Sequence, residues 1–327
     1  MTTFSDTVYH QGGLPVGGRL SQGKAIHLKP YSGADGNRGN TPKRAIKTLA
    51  EAVSIATADQ NDTVYMYAES NTAGSTTDYQ SATLAWNKDG VHLIGVNSSN
   101  MVAQRSRIAQ LSTATGIAPL VTWSANNCFV SNIHIFQGVA DATSIGALNV
   151  TGMRNHFYRC HIAGMGDTGG TMDVVNNYSL QVTGSENLFE ECVIGLDTTA
   201  KGTAENSELR LQGGATRNVF KNCLFITYAE ANTHQFLIVP VNGLDRFTLF
   251  DHCMFINMPT GTASGTTMTE AFDITGGGSP DGLLILKNCT LIGATDWEAN
   301  TESGKVWIDG GAPTNNTSGL GVLIEAT

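Results

Sequence analysis

The sequence predicts an all-β fold: a single-stranded right-handed parallel β-helix, or solenoid, with an N-terminal capping α-helix and a short N-terminal arm. Three observations predict it. An eight-residue signature returns about every 31 residues, a second strand-like run ending near glycine stands ahead of each copy, and apolar and polar residues alternate within both. The domain reading that follows is an arm over residues 1–24 and one β-helix domain over 25–327, with the capping helix at about 42–57.

Composition agrees with many short strands joined by turns. The 327 residues include 37 Gly, 38 Thr and 25 Asn against only 8 Pro, which favours β-branched strands and tight turns over helices. The formal charge is 19 − 28 = −9 with no basic run, so a nucleic-acid surface is not expected. No run approaches the roughly 18 apolar residues of a membrane-spanning helix. The opening MTTFSDTVYHQGG lacks a basic stretch followed by an apolar one, so no secretory signal is read there and synthesis in a cytoplasm is expected.

The arm contributes Val8, Tyr9, Leu14, Pro15 and Val16 among glycines, too little apolar material for a domain, and is expected to order on a partner. The helix is read from Thr41 as N-cap, Pro42 at the first helical position, and Ala45, Ile46, Leu49, Val53 and Ala56 at helical spacing. Laid across the open end of the solenoid, it would cover unpaired backbone groups. Asp62–Tyr67 and Gly90–Gly95 read as the first rungs.

The signature is clearest in Asn155–Ile162, Asn187–Ile194 and Asn218–Phe225, with looser copies at Thr248–Phe255 and Leu284–Leu291. An earlier copy, Asn127–Ile135, places Asn132 where the others have cysteine. From Asn132 through Cys160, Cys192, Cys223, Cys253 and Cys289 the steps are 28, 32, 31, 30 and 36 residues. One unit cannot bury its apolar face, whereas stacked units can, at about 4.8 Å per rung. Cys160, Cys192, Cys223, Cys253 and Cys289, with Phe157, Phe189 and Phe220, are therefore expected to form an inward ladder, each thiol acting as a small hydrophobe. The amides of Asn127, Asn155, Asn187 and Asn218 should stack at a turn. A metal site or a disulfide relay is the functional alternative for the cysteines, but ligands spread along an axis do not converge on one ion. No cofactor and no metal are expected.

Two stretches resemble known families. Gly33-Ala-Asp-Gly-Asn37-Arg-Gly39 through Ala56, followed by Asp62-Thr-Val64-Tyr-Met-Tyr67, is similar to the opening of pectate-lyase-like β-helix proteins. Thr7-Val-Tyr-His-Gln-Gly-Gly-Leu-Pro-Val16-Gly-Gly18 ahead of it resembles virion structural proteins of tailed bacteriophages. The resemblance covers roughly residues 4–100 by motif and extends to about residue 310 by repeat. It implies a noncatalytic capsid decoration or cement protein on the virion surface, assembled as a homotrimer and bound to the major capsid protein. The alternative is a tailspike-like or tail-fibre-like protein that binds or depolymerises host surface polysaccharide.

Residues that could carry chemistry are few in the sequence. Asp173, Asp197, Asp245, Asp251 and Asp273 are scattered, and Arg210 and Arg217 are split by the turn Gln212–Gly214, so no calcium-lyase cluster is read. Glu190 and Glu191 should face opposite sides of one strand. Glu205 and Glu208 are the best candidates for a hydrolase carboxylate pair, set against the plainer reading of a solvated acidic loop. His161 and His252 follow or precede a cysteine directly, so alternation should turn them outward and away from the thiol, which speaks against a Cys-His nucleophile. His156 is likewise read as a surface histidine. Trp86, Trp123, Trp297 and Trp307 lie far apart, so no aromatic sugar platform is read. Gly276–Gly278 is no phosphate loop, since no Lys or helix follows.

Overall fold

A computed structural model of the chain describes residues 23–69, 77–98, 100–203, 205–257, 265–274, 282–298, 305–309 and 321–323. The arm residues Val8, Tyr9, Leu14, Pro15 and Val16 and the run Gly276–Gly278 lie outside them. The chain winds into a parallel β-solenoid of the right-handed type with about seven turns and almost no helix. Its walls are parallel sheets of eleven, eight and seven strands, and nearly every strand pairs with its equivalents one rung before and one rung after. At the C-terminal end, Gly321–Leu323 pairs antiparallel to Val306–Asp309.

The ladder bonds saturate the backbone, and like side chains then fall on like. Phe157, Phe189, Phe220 and Phe250 are in register on consecutive rungs. Their rings stack nearly parallel at 4.9, 4.7 and 5.0 Å between centroids, all fully buried. Phe225 and Phe255 form a second stack at 4.5 Å. Offset stacking at this spacing adds to the area term.

Each rung turns from the eleven-stranded to the eight-stranded sheet at a single residue with positive φ: Arg159, Glu191, Asn222, His252 and Asn288, all between 51° and 55°. The cysteine that follows points inward and donates its S–H to a carbonyl of the preceding rung. Cys192 reaches Phe157 O at 3.4 Å, Cys223 reaches Phe189 O at 3.3 Å, Cys253 reaches Phe220 O at 3.3 Å and Cys289 reaches Phe250 O at 3.4 Å. Cys160, Cys192, Cys223 and Cys253 are buried and Cys289 is half-buried. Burial pushes the thiols of Cys160 and Cys192 well above the usual range.

At the opposite end of the same strands, the amide oxygen of Asn187 accepts from the backbone N–H and the side-chain N–H of Asn155, at 3.0 and 3.1 Å. Asn218 does the same for Asn187, at 3.0 and 3.2 Å. The first copy of the signature sits one residue out of the expected register. Phe157 pairs with Val130, so Asn132 aligns with Arg159 and shares its positive φ, and Ile133 takes the thiol position. Cys128 stands at the amide position, where its N–H donates to Asn155 Oδ1 at 2.9 Å. Asn127, expected in the amide column, instead occupies a corner with positive φ, as Arg154 does.

The helix is shorter than its periodicity suggests. A single 3-10 turn covers Pro42–Arg44, and the α-helix runs only from Leu49 to Ile55. Ile46 breaks the run between them because it makes a β-bridge with Leu28. The operative cap is Thr48, whose hydroxyl accepts from Glu51 N–H at 3.2 Å.

Candidate functional site

The seven-stranded sheet carries the most distinctive side chains, and a local irregularity decides which way they point. Successive strands read Tyr178-Ser-Leu-Gln-Val182, Ser207-Glu-Leu-Arg-Leu211 and Gln235-Phe-Leu-Ile-Val239, then Phe272-Asp-Ile274, which follows Ala271 and the end of a separate short strand at Glu270. In the first three, the second and third residues both turn inward, so strict alternation fails there. The second position lines the inner corner beside the eight-stranded sheet: Phe236 packs on Phe255 there, and Ser179 and Glu208 hydrogen-bond to each other. Outward positions are therefore the first and fourth.

Glu208 corrects the expectation of a solvated acidic loop. It lies within the strand Ser207–Leu211, faces the interior and is fully buried. Lys201, also fully buried, sits 3.2 Å from Glu208 Oε1 and donates to the carbonyls of Leu196 and Thr199. Thr227 donates to Oε1 at 2.8 Å and Ser179 to Oε2 at 2.6 Å. His234 Nε2 lies 2.8 Å from Thr227 Oγ1, and His234 Nδ1 meets Asn206 Oδ1 at 2.6 Å. Asn206 donates onward to Asp173. Burial alone would raise the Glu208 carboxyl, but the Lys201 ammonium and the hydrogen bonds of His234 and Ser179 outweigh it and bring it down to about 2. Gly195 makes room for this carboxylate: its φ is 99°, and an added Cβ would stand 2.7 Å from Glu208 Oε2. Sealed from solvent, the cluster is an internal brace.

On the outer side of the same sheet, one row runs Asn149, Gln181, Arg210, Ile238, Asp273, in register rung by rung. Tyr178, Ser207 and Gln235 form the row beside it, which continues toward Glu270 on the next rung. Two rungs bring Arg210 and Asp273 to about 10 Å between Cα atoms at ~4.8 Å per rung. Burial raises the Asp273 carboxyl to about 6, and the charges of Glu270 and Glu205 push the same way against the pull of Arg210. Burial also lowers the Arg210 guanidinium, opposed by Glu205, Tyr178 and Asp273. Three atoms here are buried without a hydrogen-bond partner: Arg210 Nη1, Gln235 Oε1 and Asp273 Oδ1. Asp273 and Gln235 are only 8% and 6% exposed, so unsatisfied oxygens on them are costly unless something binds.

Of the residues weighed from sequence, the fold thus unites Arg210, Asp273 and Glu205 and removes Glu208 from them. Gln235 and Glu270 escaped notice; the shared five-residue strand pattern was the signal that could have found them. Arg217 goes to a different corner, where it pairs with Glu186 at 2.6 Å. His161 is a second correction. It points outward from its strand but is buried beneath the loop around Ala103, whose N–H donates to Nδ1 at 3.0 Å, while Nε2 meets Gly195 O at 3.0 Å. Its ring lies flat on that of His134 at 4.4 Å. His252 is exposed beside Asp251, and His156 is half-buried against Glu190. Among the described residues, no group of three or more His, Cys, Asp or Glu is placed to hold a metal ion.

No family model matches the chain, and no curated protein does. Solved structures do. A pectate lyase matches with a TM-score of 0.58 at 11% identity, over 89% of this chain and 69% of that one. A rhamnogalacturonan lyase matches at 0.53 and 16%, over 82% and 68%. The pectin methylesterase PemA from Erwinia chrysanthemi matches at 0.53 and 14%, over 89% and 91%. The likeness is one of fold.

Proposed function

We propose that this protein binds polysaccharide on the outer face of its seven-stranded sheet and cleaves it there, with Asp273 as general acid. The observation that carries the reading is that Arg210 Nη1, Gln235 Oε1 and Asp273 Oδ1, on three neighbouring rungs of one sheet, are all buried and unpartnered, the last on a carboxyl raised to about 6. A sugar supplies both hydroxyl donors for the two oxygens and acceptors for the guanidinium. The names of the fold neighbours, a rhamnogalacturonan lyase, a pectate lyase and a pectin methylesterase, point the same way. Nothing in those comparisons speaks for a capsid decoration role, so the alternative expectation takes its place. Host surface glycan as the substrate, and a virion as the location, rest on the N-terminal resemblance alone.

In this reading, Asp273 is half protonated at about pH 6, and its protonated form donates to the glycosidic oxygen. Glu270, three residues back on the same chain segment, supplies the second carboxylate. Arg210 and Gln235 fix the sugar across the neighbouring rungs.

The test is to incubate the protein with a panel of bacterial capsular, lipopolysaccharide and pectic glycans and to assay new reducing ends. Release that disappears in Asp273→Asn, with glycan still bound, supports the assignment. Binding without release in the wild type refutes the catalytic part, and neither binding nor release across the panel refutes the whole.

A further inference from the structure

The outer face of the eleven-stranded sheet carries a different pattern. Leu188, Val219, Leu249 and Ile285 stand in register on four consecutive rungs, all half-buried and all outward. Phe247 and Leu283 pair beside them and widen the stripe. Single exposed apolar residues are ordinary, but an unbroken file of aliphatics along the axis is not. Next to the stripe, a second in-register file reads Glu190, Lys221, Asp251, Lys287, with signs alternating at every rung. Within the chain these are neighbours: Lys221 Nζ lies 2.9 Å from Glu190 and Lys287 Nζ 3.3 Å from Asp251. A third file on the far side of the stripe runs along the positive-φ corner as Arg154, Glu186, Arg217 and Arg246, the last three on the rungs of Glu190, Lys221 and Asp251.

The alternation selects one way for this face to meet itself. A two-fold axis along the strand direction, midway between the Val219 and Leu249 rungs, runs two solenoids antiparallel. It sets Leu188 on the partner's Ile285 and Val219 on the partner's Leu249. The same operation brings Glu190 to the partner's Lys287 and Lys221 to the partner's Asp251, four attractive pairs in all. Parallel packing about the stripe sets Glu186 against Glu190 and Arg217 against Lys221, four like-charge contacts by symmetry against two favourable ones of Arg246 with Asp251, whereas the antiparallel arrangement has four favourable pairs against two of Arg217 with the partner's Arg246. We infer that a second copy of this chain docks on the outer face of the eleven-stranded sheet, forming an antiparallel two-fold dimer. The surface is separate from the sugar face and stands or falls independently of it.

Light scattering on the eluting full-length protein should give twice 34.6 kDa. Lys221→Glu, which places like charge opposite Asp251, should halve that mass, and adding Asp251→Lys should restore it. That restoration is a signature misfolding would not show. Orientation is read by oxidation: a mixture of Leu188→Cys and Ile285→Cys proteins should cross-link, whereas Leu188→Cys alone should not. A monomer at every soluble concentration overturns the inference. So does a trimer whose Leu188→Cys form cross-links to itself, or an assembly indifferent to Lys221→Glu.

Discussion

Asp273 offers a test in which a substitution at the proposed site should strengthen the fold. Its carboxyl titrates at about 6 in the folded protein against 3.8 ordinarily, so folding takes up a proton between those values. The sign follows from linkage: a raised carboxyl contributes nothing adverse below pH 3.8, and stability is lost as pH rises through the window, the full penalty being reached above about 6. At roughly 1.4 kcal/mol per pH unit, the shift corresponds to about 3 kcal/mol at pH 8. Asp273→Asn keeps the shape and removes the charge facing Glu270 and Glu205, so it should recover about 2–3 kcal/mol there. Urea unfolding of both proteins at pH 8, 5 and 3.5 reads this directly. The variant should be the more stable at pH 8, with the advantage shrinking at pH 5 and gone at pH 3.5. A variant less stable at pH 8, or a difference that ignores pH, would refute the placement of Asp273 in a desolvated, negatively charged setting.

Phe189, clasped between Phe157 and Phe220 with no exposed area, should cost about 3–5 kcal/mol when replaced by alanine, measured by the same unfolding. Lys201→Met leaves the Glu208 carboxylate sealed without its cation and should destabilise by about 3–5 kcal/mol, while Lys201→Met with Glu208→Leu should recover much of that loss. Burial holds His161 neutral, at about 4. Its contribution is present above the ordinary histidine value of 6.5 and is lost as pH falls from there to about 4. His161→Gln should therefore flatten the stability profile across that window by about 1.4 kcal/mol per pH unit. Alkylation of the native protein should leave Cys160, Cys192, Cys223 and Cys253 unmodified; rapid labelling of any of the four would contradict their burial.

The solenoid was legible because periodicity is a property of the whole chain, and five cysteines at near-equal steps fix the rung length. Local departures were not. The slip at Asn132 was hidden because asparagine suits both an amide ladder and a corner with positive φ, and only the pairing of Phe157 with Val130 distinguishes them. Glu208 defeated the loop reading, since it stands second in a strand whose second and third residues both face inward. His161 was placed on the correct side of its strand, yet a loop some 58 residues earlier in the chain lies over it. Arg210 and Asp273 looked scattered because spatial neighbours in a solenoid are separated by whole rungs of sequence. The arm falls outside the described residues, so its partner role is an untested expectation.

Because each thiol of the inward column leans on the carbonyl one storey below, and Asn155 and Asn187 each lean on the amide one storey above, the middle of this tower has no privileged floor. Deleting one complete storey, from Asn187 to Arg217, would bring Asn218 over Asn155, Phe220 over Phe157 and Cys223 over Cys160, so that these three columns meet chemically identical mates. Height can therefore change in whole storeys without a new interior. The deleted storey carries Lys201 and Glu208 together, so the deletion removes the buried ion pair whole and strands neither charge.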